Sequence, residues 1–252
     1  MRIQNKFEWK NNNEFTIEGV NFVIDISSGK NRRPSDDEAF TLVKTKDFLN
    51  QYFKLKRRLP ENPNILELGI FQGGSFVLLD KIFDPDSMSA VEIDSDPIKP
   101  LVKYCESIED RKLKTYFGKS QGDADLLNKI VDEDFGGKLD LVFDDASHRY
   151  ALTADSFHAL FSKLQPGGYY VIEDWAWAHT PAHEAGKNHG WSDDPSLTRF
   201  VFELVTNLGL RNSIYSIEIY RELAVIKKTV AENGSLPLKD PAIRGVRLPE
   251  TL

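Results

Sequence analysis

The sequence predicts an α/β protein with a doubly wound, mostly parallel sheet and a terminal antiparallel strand pair. From residue 64 onward, short apolar runs alternate with amphipathic helical patterns at close spacing, as in strand–helix–strand units. Glycines or acids directly follow several of the apolar runs, as expected where the strands of such a sheet end. Residues 211–228 instead alternate with period two around Tyr220-Arg221-Glu222, which predicts two antiparallel strands.

The elements of this sheet can be predicted in chain order from periodicity and from turn residues. An apolar run of four to eight residues bounded by glycines or acids favours a buried strand, and a longer stripe at helical spacing favours a helix. The predicted elements are a strand, glycine turn and helix at 64–83, a strand at 87–98 ending in acids, a strand at 113–118, a loop and helix at 119–131, a strand at 139–143, a helical stripe at 152–164 that stops at Pro166-Gly167-Gly168, a strand at 169–172 and a helix at 197–208.

We expect the chain to divide into three parts. Residues 1–62 are predicted to form an N-terminal accessory segment, with a strand pair within residues 7–25, a polar loop, and a helix within residues 39–58. Ser35, with Glu38 three residues on, has the spacing of a helix cap. Residues 63–230 are the α/β domain, and residues 231–252 are a polar tail that contains prolines.

Composition excludes several classes of protein. With 252 residues, 40% of them hydrophobic, the chain can bury a full core. Its net charge of -7 argues against a dedicated nucleic-acid binder, and no apolar run has the length of a membrane span. The single cysteine, Cys105, rules out an internal disulfide and fits a reducing compartment. We therefore expect a cytoplasmic protein without a nucleic-acid or membrane partner.

A glycine turn follows the first strand of the α/β domain. The stretch "ELGIFQGGS", residues 67–75, places an acid before Gly69 and a glycine pair before the next helix. Small residues let the backbone approach a ligand, and the helix amino end offers free N–H groups. The stretch lacks the GxGxxG dinucleotide fingerprint, and Glu67 would repel a pyrophosphate but attract a cationic group. The candidate ligand-binding residues of the turn are Glu67, Gly69, Gln72, Gly73 and Ser75.

The next strand ends in two further acids, Glu92 and Asp94. An acid at the end of this strand is in position to bind both hydroxyls of a ribose, and Asp94 is the first choice with Glu92 the second. A cationic group and a ribose on one ligand describe S-adenosylmethionine. In the loop after the third strand, Ser120 and Gln121 are candidates for the adenine edge, or else ordinary polar loop residues.

Paired carboxylates follow two consecutive strands, Asp144-Asp145 after the first and Glu173-Asp174 after the second, with His148 three residues beyond Asp145. Because the carboxyl ends of parallel strands meet at one edge of the sheet, these groups are expected to gather there. Four acids and a histidine suit a hard metal ion with a general base beside it. Asp144 is expected to face the cofactor or to support the site.

These motifs resemble a known family. The stretches "ILELGIFQGGS" and "AVEIDSDP" and the terminal strand pair look like a class I S-adenosylmethionine-dependent methyltransferase, whose fold is Rossmann-like. More narrowly, "FDDASHRYALTADSFHALFSKLQPGGYYVIEDW" is similar to the metal-dependent sugar O-methyltransferases of the macrocin, mycinamicin and rhamnosyl type. The related cephalosporin-biosynthesis proteins, often labelled hydroxylases, share this stretch. The resemblance covers roughly residues 64–228.

The resemblance implies a reaction and a set of residues for it. It implies Mg²⁺ held by Asp145, Glu173 and Asp174, with His148 as the general base. The expected partner is a small-molecule acceptor, a sugar or a glycosylated natural product, whose hydroxyl is methylated. The family also forms oligomers, so a homo-oligomer is expected.

Other interpretations of the same residues remain open at this point. The two acid pairs could be a helix cap and a surface strand end. His179, His183 and His189 could contribute to a ferrous site, although Pro181 breaks the helical spacing of the first two. Trp175, Trp177 and Trp191 could form an acceptor wall, or could be core or subunit contacts. The rival functions are a non-catalytic S-adenosylmethionine or S-adenosylhomocysteine binder and an oxygenase-like enzyme that uses the acid site.

Overall fold

The computed structural model describes residues 7–27, 31–179, 195–208 and 213–230. The elements of the N-terminal segment are β1 (Phe7–Trp9), β2 (Glu14–Ile17), β3 (Val20–Ile24), β4 (Phe40–Leu42) and α1 (Lys46–Lys56). The elements that follow are β5 (Ile65–Leu68), α2 (Gly74–Phe83), β6 (Ser87–Val91), α3 (Lys99–Ser107), β7 (Lys112–Tyr116), α4 (Ala124–Phe135), β8 (Leu139–Asp144), α5 (Tyr150–Phe161), β9 (Leu164–Glu173), α6 (Leu197–Leu208), β10 (Ile214–Ile219) and β11 (Leu223–Lys228).

The described residues of the α/β domain form a seven-stranded sheet in the order β10-β11-β9-β8-β5-β6-β7. Strands β5 to β9 pair in parallel, and β11 runs antiparallel to both β9 and β10. The predicted fold class, with its terminal antiparallel strand pair, is therefore confirmed.

Both faces of this sheet are buried. Successive strand residues point to opposite faces, so Ile65 packs in one core cluster and Leu66 in the other. The first cluster includes apolar residues of α1 and α2, and the second includes those of α4, α5 and α6. Continuous apolar runs such as residues 139–143 form because a strand covered on both sides has no solvent face.

The N-terminal segment packs into the first of these cores. Its strands form a four-stranded sheet in which β1, β2 and β3 are antiparallel and β4 lies parallel to β3. Phe15, Ile17 and Phe22 are fully buried in the cluster that also holds residues of α2. The segment is thus joined to the α/β domain through apolar side chains, while the predicted boundary at residue 62 stays a prediction.

Two predictions for the N-terminal segment were wrong in detail. The first part of the helix expected within residues 39–58 is the strand β4, since Phe40 and Leu42 are buried beside β3, and α1 begins only at Lys46. Ser35 caps no helix, because no helix begins between it and β4, and its hydroxyl instead accepts a hydrogen bond from the Thr41 N–H.

Strand β9 begins earlier than predicted, at Leu164, so that Pro166-Gly167-Gly168 lies inside it. A register shift between Leu139 and Leu141 of β8 accommodates these residues. The predicted tail at residues 231–252 lies outside the described residues. No helix of the described part of the chain is long and apolar enough to cross a membrane.

Gly74 marks the point where the N-terminal segment meets the α/β domain. A Cβ at this position would lie 2.1 Å from the carbonyl oxygen of Thr41, in β4. We expect Gly74→Ala to destabilise the protein by roughly 3 kcal/mol, because backbone cannot move aside as a flexible side chain can. Urea unfolding of the variant and wild type measures this difference.

Gly136→Ala is the matched control for this substitution. Gly136 has a φ of +60°, and a Cβ at this position would meet nothing within 4 Å, so only the left-handed backbone opposes alanine, at about 1 kcal/mol. Helix propensity alone would make Gly74→Ala more stable than wild type. A variant at least as stable as wild type would refute the tight packing against Thr41.

Candidate active site

The glycine turn and the acidic loop touch each other at the carboxyl edge of the sheet. Strand β5 lies between β8 and β6, and ligands of such sheets bind outside the carboxyl ends of the strands where the strand order reverses. Gly69 has a φ of +92°, and a Cβ there would lie 2.3 Å from the Asp145 carbonyl oxygen. Glycine is therefore required at this position, and the glycine turn lies directly beside the loop that carries Asp145.

Glu67 is buried beneath the turn, with only 1% of its surface exposed. Among the described residues its Oε2 has no hydrogen-bond partner, and the Ser75 side chain offsets the effect of burial on the pKa of Glu67 only in part. Burial raises the pKa of Glu67 to about 8. A buried acid with an orphaned oxygen costs free energy unless a donor or cation meets it, so Glu67 fits the cationic group of a bound ligand.

Glu92 faces the glycine turn, whereas Asp94 does not. The Glu92 carboxylate accepts hydrogen bonds from the Ile70 N–H at 2.9 Å and the Phe71 N–H at 2.7 Å, and from the Asp94 N–H at 3.0 Å. The exposed Asp94 side chain accepts only from the Asp96 N–H among the described residues. The geometry thus favours Glu92, the second choice of the sequence analysis for the ribose hydroxyls, over Asp94, the first choice.

The remaining residues of the turn are fixed by neighbouring segments. Gly73 is the N-cap of α2, with a left-handed φ of 79°. The Gln72 Oε1 accepts a hydrogen bond from the Ser35 N–H at 3.0 Å. The N-terminal segment therefore covers one side of the turn.

Asp144 is the centre of a buried polar network. Its carboxylate accepts hydrogen bonds from Tyr170 Oη at 2.8 Å, Ser156 Oγ at 2.9 Å and Gln121 Nε2 at 3.0 Å. Burial raises the pKa of Asp144 to about 6. The Gln121 Oε1 accepts from the Ser147 N–H at 2.8 Å, so Asp144 and Gln121 together support the loop that carries His148.

These contacts bear on two predicted ligand contacts in the loop after β7. Both ends of the Gln121 side chain are engaged within the protein, and the Ser120 hydroxyl accepts from the Gly122 N–H at 3.1 Å. Direct binding of the cofactor by Ser120, Gln121 or Asp144 stays a prediction.

Asp145, His148 and Asp174 form a cluster that could hold a metal ion. Each offers one ligand atom, and these atoms lie within 4.8 Å of one another. His148 Nε2 lies 4.0 Å from Asp145 Oδ1. Burial and the nearby Asp145 carboxylate raise the pKa of Asp174, which indicates that the two carboxylates lack full compensation by cations.

The backbone is strained at two members of this cluster. His148 has a φ of 54° and Asp174 a φ of 50°, the left-handed region that non-glycine residues rarely adopt. Such conformations cost about 1 kcal/mol or more and persist where surrounding structure holds them, often at functional sites. Both residues belong to the cluster around Asp145.

Glu173 lies deeper than the other acids, with 1% of its surface exposed. Lys44 Nζ forms ion pairs with Glu173 Oε2 and, at 2.6 Å, with Asp145 Oδ2. Tyr52 donates a hydrogen bond to Glu173 Oε1. Burial opposes the charge of Lys44, but the two carboxylates raise the pKa of Lys44 well above its usual value.

Lys44 and Tyr52 were missed by the sequence analysis. Lys44 is separated from Asp145 by 101 residues and from Glu173 by 129, so no local motif joins them. The only signal was the lysine that ends the mostly apolar stretch "AFTLVK". A lysine is rarely buried unless it is paired with an acid.

The aromatic residues near the site have separate roles. The Trp177 ring centroid lies 5.9 Å from that of His148, while Trp175 Nε1 donates to the Tyr220 carbonyl at 2.8 Å. His179 Nε2 lies 2.9 Å from Thr198 Oγ1, outside the cluster. His183, His189 and Trp191 lie outside the described residues, so the histidine-based metal site stays untested.

A family model described as "Methyltransferase domain" matches residues 66–175. Demethylmacrocin O-methyltransferase of Streptomyces fradiae is 28% identical over 198 residues, which are 70% of this chain and 47% of that protein. Mycinamicin VI 2''-O-methyltransferase of Micromonospora griseorubida is 27% identical over 52% of this chain and 35% of its own length. The chain thus spans about half, or less, of the curated relatives that it matches.

Solved structures agree with this result. The MycE methyltransferase of the mycinamycin biosynthetic pathway, solved with Mg and SAH, has a TM-score of 0.54 and 25% identity, over 75% of this chain and 50% of that one. The O-methyltransferase TomG of Streptomyces achromogenes, solved with SAM, has a TM-score of 0.53 at 17% identity, over 75% of this chain and 82% of that one, and it supports the fold alone. Residues 66–175 are therefore a methyltransferase domain, and the resemblance of this chain to the class I S-adenosylmethionine-dependent methyltransferases of the macrocin, mycinamicin and rhamnosyl group is confirmed.

Proposed function

We propose that this protein is a Mg²⁺-dependent O-methyltransferase that moves the methyl group of S-adenosylmethionine to a hydroxyl of a sugar or glycosylated natural product. One observation carries the proposal: the cluster of Asp145, His148 and Asp174 adjoins a glycine turn whose buried acid, Glu67, has an orphaned oxygen. A non-catalytic binder of the cofactor needs only the second of these features.

The residues around the turn fit S-adenosylmethionine, which supplies an already activated methyl group on a sulfonium. Glu67 is suited to the ammonium group of the methionine part, because its Oε2 is buried and unpartnered among the described residues. Glu92 is the better candidate for the ribose hydroxyls, since its carboxylate lies at the turn while Asp94 is exposed. Because Gly69 has no side chain, a ligand can approach the backbone of the turn closely.

Asp145, Glu173 and Asp174, here called the acid cluster, fit a hard divalent cation. Asp145 and Asp174 would hold the ion through carboxylate oxygens, which Mg²⁺ prefers, with Glu173 as the third predicted acid behind them. When bound, Mg²⁺ would orient acceptor hydroxyls and lower their pKa.

His148 is the proposed general base. Its Nε2 faces the Asp145 carboxylate at 4.0 Å, on the outer side of the cluster, where 19% of the His148 side chain is exposed. Nε2 would accept the proton of the acceptor hydroxyl as the hydroxyl oxygen attacks the methyl carbon. The Trp177 ring, packed near the imidazole, would form part of the acceptor wall.

The acceptor class rests on the names of the relatives. Beyond the two already described, an enzyme of Streptomyces olivaceus that is 34% identical over 46% of this chain is named for 8-demethyl-8-alpha-L-rhamnosyl tetracenomycin-C 2'-O-methylation. A glycosylated acceptor with vicinal hydroxyls fits a metal cluster that keeps positions for substrate oxygens.

A methyl-transfer assay tests the proposal. The purified protein is incubated with methyl-labelled S-adenosylmethionine and a panel of rhamnosides and macrolide glycosides, with Mg²⁺ or with a chelator. We expect label on a sugar oxygen only when Mg²⁺ is present. Binding of the cofactor by titration, with no transfer to any member of a broad panel and no binding of a divalent ion, would favour the non-catalytic binder instead.

Glu67 leads to a prediction about the pH dependence of cofactor binding. Its pKa of about 8 means that it is mostly protonated in the free protein at pH 7, and a cationic ligand favours the ionised form. Binding therefore releases a proton, and we expect cofactor affinity to rise by up to about tenfold per pH unit below pH 8 and then to level off. Calorimetric titration between pH 6 and about 9, in buffers of different ionisation enthalpy, measures both effects.

Glu67→Gln should bind S-adenosylmethionine more weakly and lose the pH dependence. Glu133→Gln, the same substitution at an exposed position of α4, is the control and should behave as wild type. An unchanged pH profile in Glu67→Gln would show that another group titrates. Because the folded pKa is raised, this residue also makes the ligand-free protein less stable as the pH rises from about 4.5 through 8.

A further inference from the structure

Lys44 brings a positive charge from the N-terminal segment into the acid cluster. It lies between β4, which ends at Leu42, and α1, which begins at Lys46, so the backbone is fixed on both sides. Its side chain is 5% exposed, compared with 1% for Glu173 and 25% for Asp145. The lysine therefore occupies the inner side of the cluster, away from solvent.

The contacts of Lys44 divide the carboxylate oxygens into two sets. Both oxygens of Glu173 already accept hydrogen bonds, one from Lys44 and one from Tyr52. Asp145 Oδ2 accepts a hydrogen bond from Lys44 Nζ at 2.6 Å, and Asp145 Oδ1 lies 4.0 Å from His148 Nε2. The outer set, which Lys44 leaves for an ion, consists of Asp145 Oδ1 and the Asp174 carboxylate.

Two opposing effects follow from this arrangement. Without Lys44, the ligand-free protein would hold a buried Glu173 beside Asp145 with no compensating charge, which is costly. With Lys44, any ion bound at Asp145 lies within several ångströms of an ammonium group, and the repulsion between these charges in a partly buried site weakens binding.

We propose that Lys44 is a positioning residue that competes with the divalent ion for the acid cluster, restricting the ion to the outer oxygens of Asp145 and Asp174 and lowering its affinity. This inference rests on the proposed metal role of the cluster. It makes the N-terminal segment part of the metal site, since Lys44 and Tyr52 both come from that segment. A purely structural ion pair makes the opposite prediction, because its loss would damage the site.

Replacing Lys44 with methionine or glutamine tests the proposal. Methionine removes the charge at similar length, and glutamine also keeps hydrogen-bond donors for both carboxylates. Mn²⁺ serves as the probe, and its binding to each variant of the full chain is measured by electron paramagnetic resonance. We expect both variants to bind Mn²⁺ about tenfold to a hundredfold more tightly than wild type, and Mn²⁺ to raise their melting temperatures more than it raises that of wild type.

Three variants serve as controls. Lys46→Met removes an exposed lysine two residues away, which lies over the Trp9 ring, and should leave Mn²⁺ affinity unchanged. Lys44→Arg keeps the charge and should stay near wild type. Tyr52→Phe removes one hydrogen bond to Glu173 without changing charge, and should alter the affinity by no more than about threefold.

The outcomes separate this inference from the proposed function. Equal or weaker Mn²⁺ binding by Lys44→Gln, or by a folded Lys44→Met, overturns the role of Lys44, while Mg²⁺-dependent methyl transfer by wild type leaves the proposed function standing. Binding by the neutral variants but not by wild type supports the role of Lys44. If neither wild type nor variants bind Mn²⁺, both the inference and the metal part of the proposed function fail, although cofactor titration still tests the methyltransferase.

Discussion

Replacing His148 with asparagine is expected to lower kcat by about a hundredfold to ten-thousandfold, the usual contribution of a general base. The imidazole Nε2 lies beside the acid cluster, and asparagine has no group that can take up a proton there. Asparagine tolerates the left-handed backbone that His148 adopts at φ 54°, so the loop should keep its shape. Affinity for S-adenosylmethionine should change by no more than about twofold, because His148 acts on the acceptor.

His158→Asn is the matched control for this variant. His158 lies on α5, where its ring contacts the Ala154 carbonyl one turn earlier, and it is exposed. We expect its kcat to equal that of wild type. If His148→Asn transferred the methyl group in a single turnover at the wild-type rate, His148 would not be the general base, whatever its steady-state kcat.

Asp145→Asn should abolish metal-dependent turnover. Asp145 is central to the cluster because it adjoins His148 and Lys44 and its backbone meets Gly69. An amide keeps the shape but removes the negative charge that attracts a divalent ion. Since a catalytic metal contributes several kcal/mol to lowering the barrier, kcat should fall by about a thousandfold at any Mg²⁺ concentration.

Asp155→Asn, which makes the same charge change on the exposed side of α5, is the control and should keep wild-type turnover. Mn²⁺ titration should detect an ion in Asp155→Asn but none in Asp145→Asn at the same concentrations. Cofactor titration should give equal affinities for both. Full activity of Asp145→Asn in the presence of chelator would show that the reaction needs no metal.

The predicted strands were correct where consecutive residues alone determine the structure. Residues 139–143 form a strand because a short, continuous apolar run can be buried on both faces of a sheet. The helix predicted around Phe40 was wrong because the apolar residues there fit one face of a helix and a buried strand equally well. Only the pairing with β3 decides between the two. The predicted start of β9 was wrong because the strand takes in the two glycines through a register shift against β8. No local sequence pattern predicts such a shift.

The candidate site follows the same division. The acids after β8 and β9 were predicted to meet because parallel strands align their carboxyl ends, and Asp145, His148 and Asp174 do lie together. The order of preference between Asp94 and Glu92 depended on which side chain turns back toward the glycine turn, and that depends on contacts with Ile70 and Phe71. Sequence spacing carries no information about that rotation.

The fold class, the glycine turn, and the acids and histidine of the candidate site were predictable from the amino-acid order, because periodicity and strand-end chemistry are properties of consecutive residues. Lys44 and Tyr52 were not predictable in this way. The distribution of charge within the site was not predictable in this way and depends on the folded chain. Glu173 became the inner acid, held by Lys44 and Tyr52, and Asp145 and Asp174 became the outer pair. The physical reason is that ion pairing and burial act between residues that are close in space, and here the partners are more than 100 residues apart in the chain.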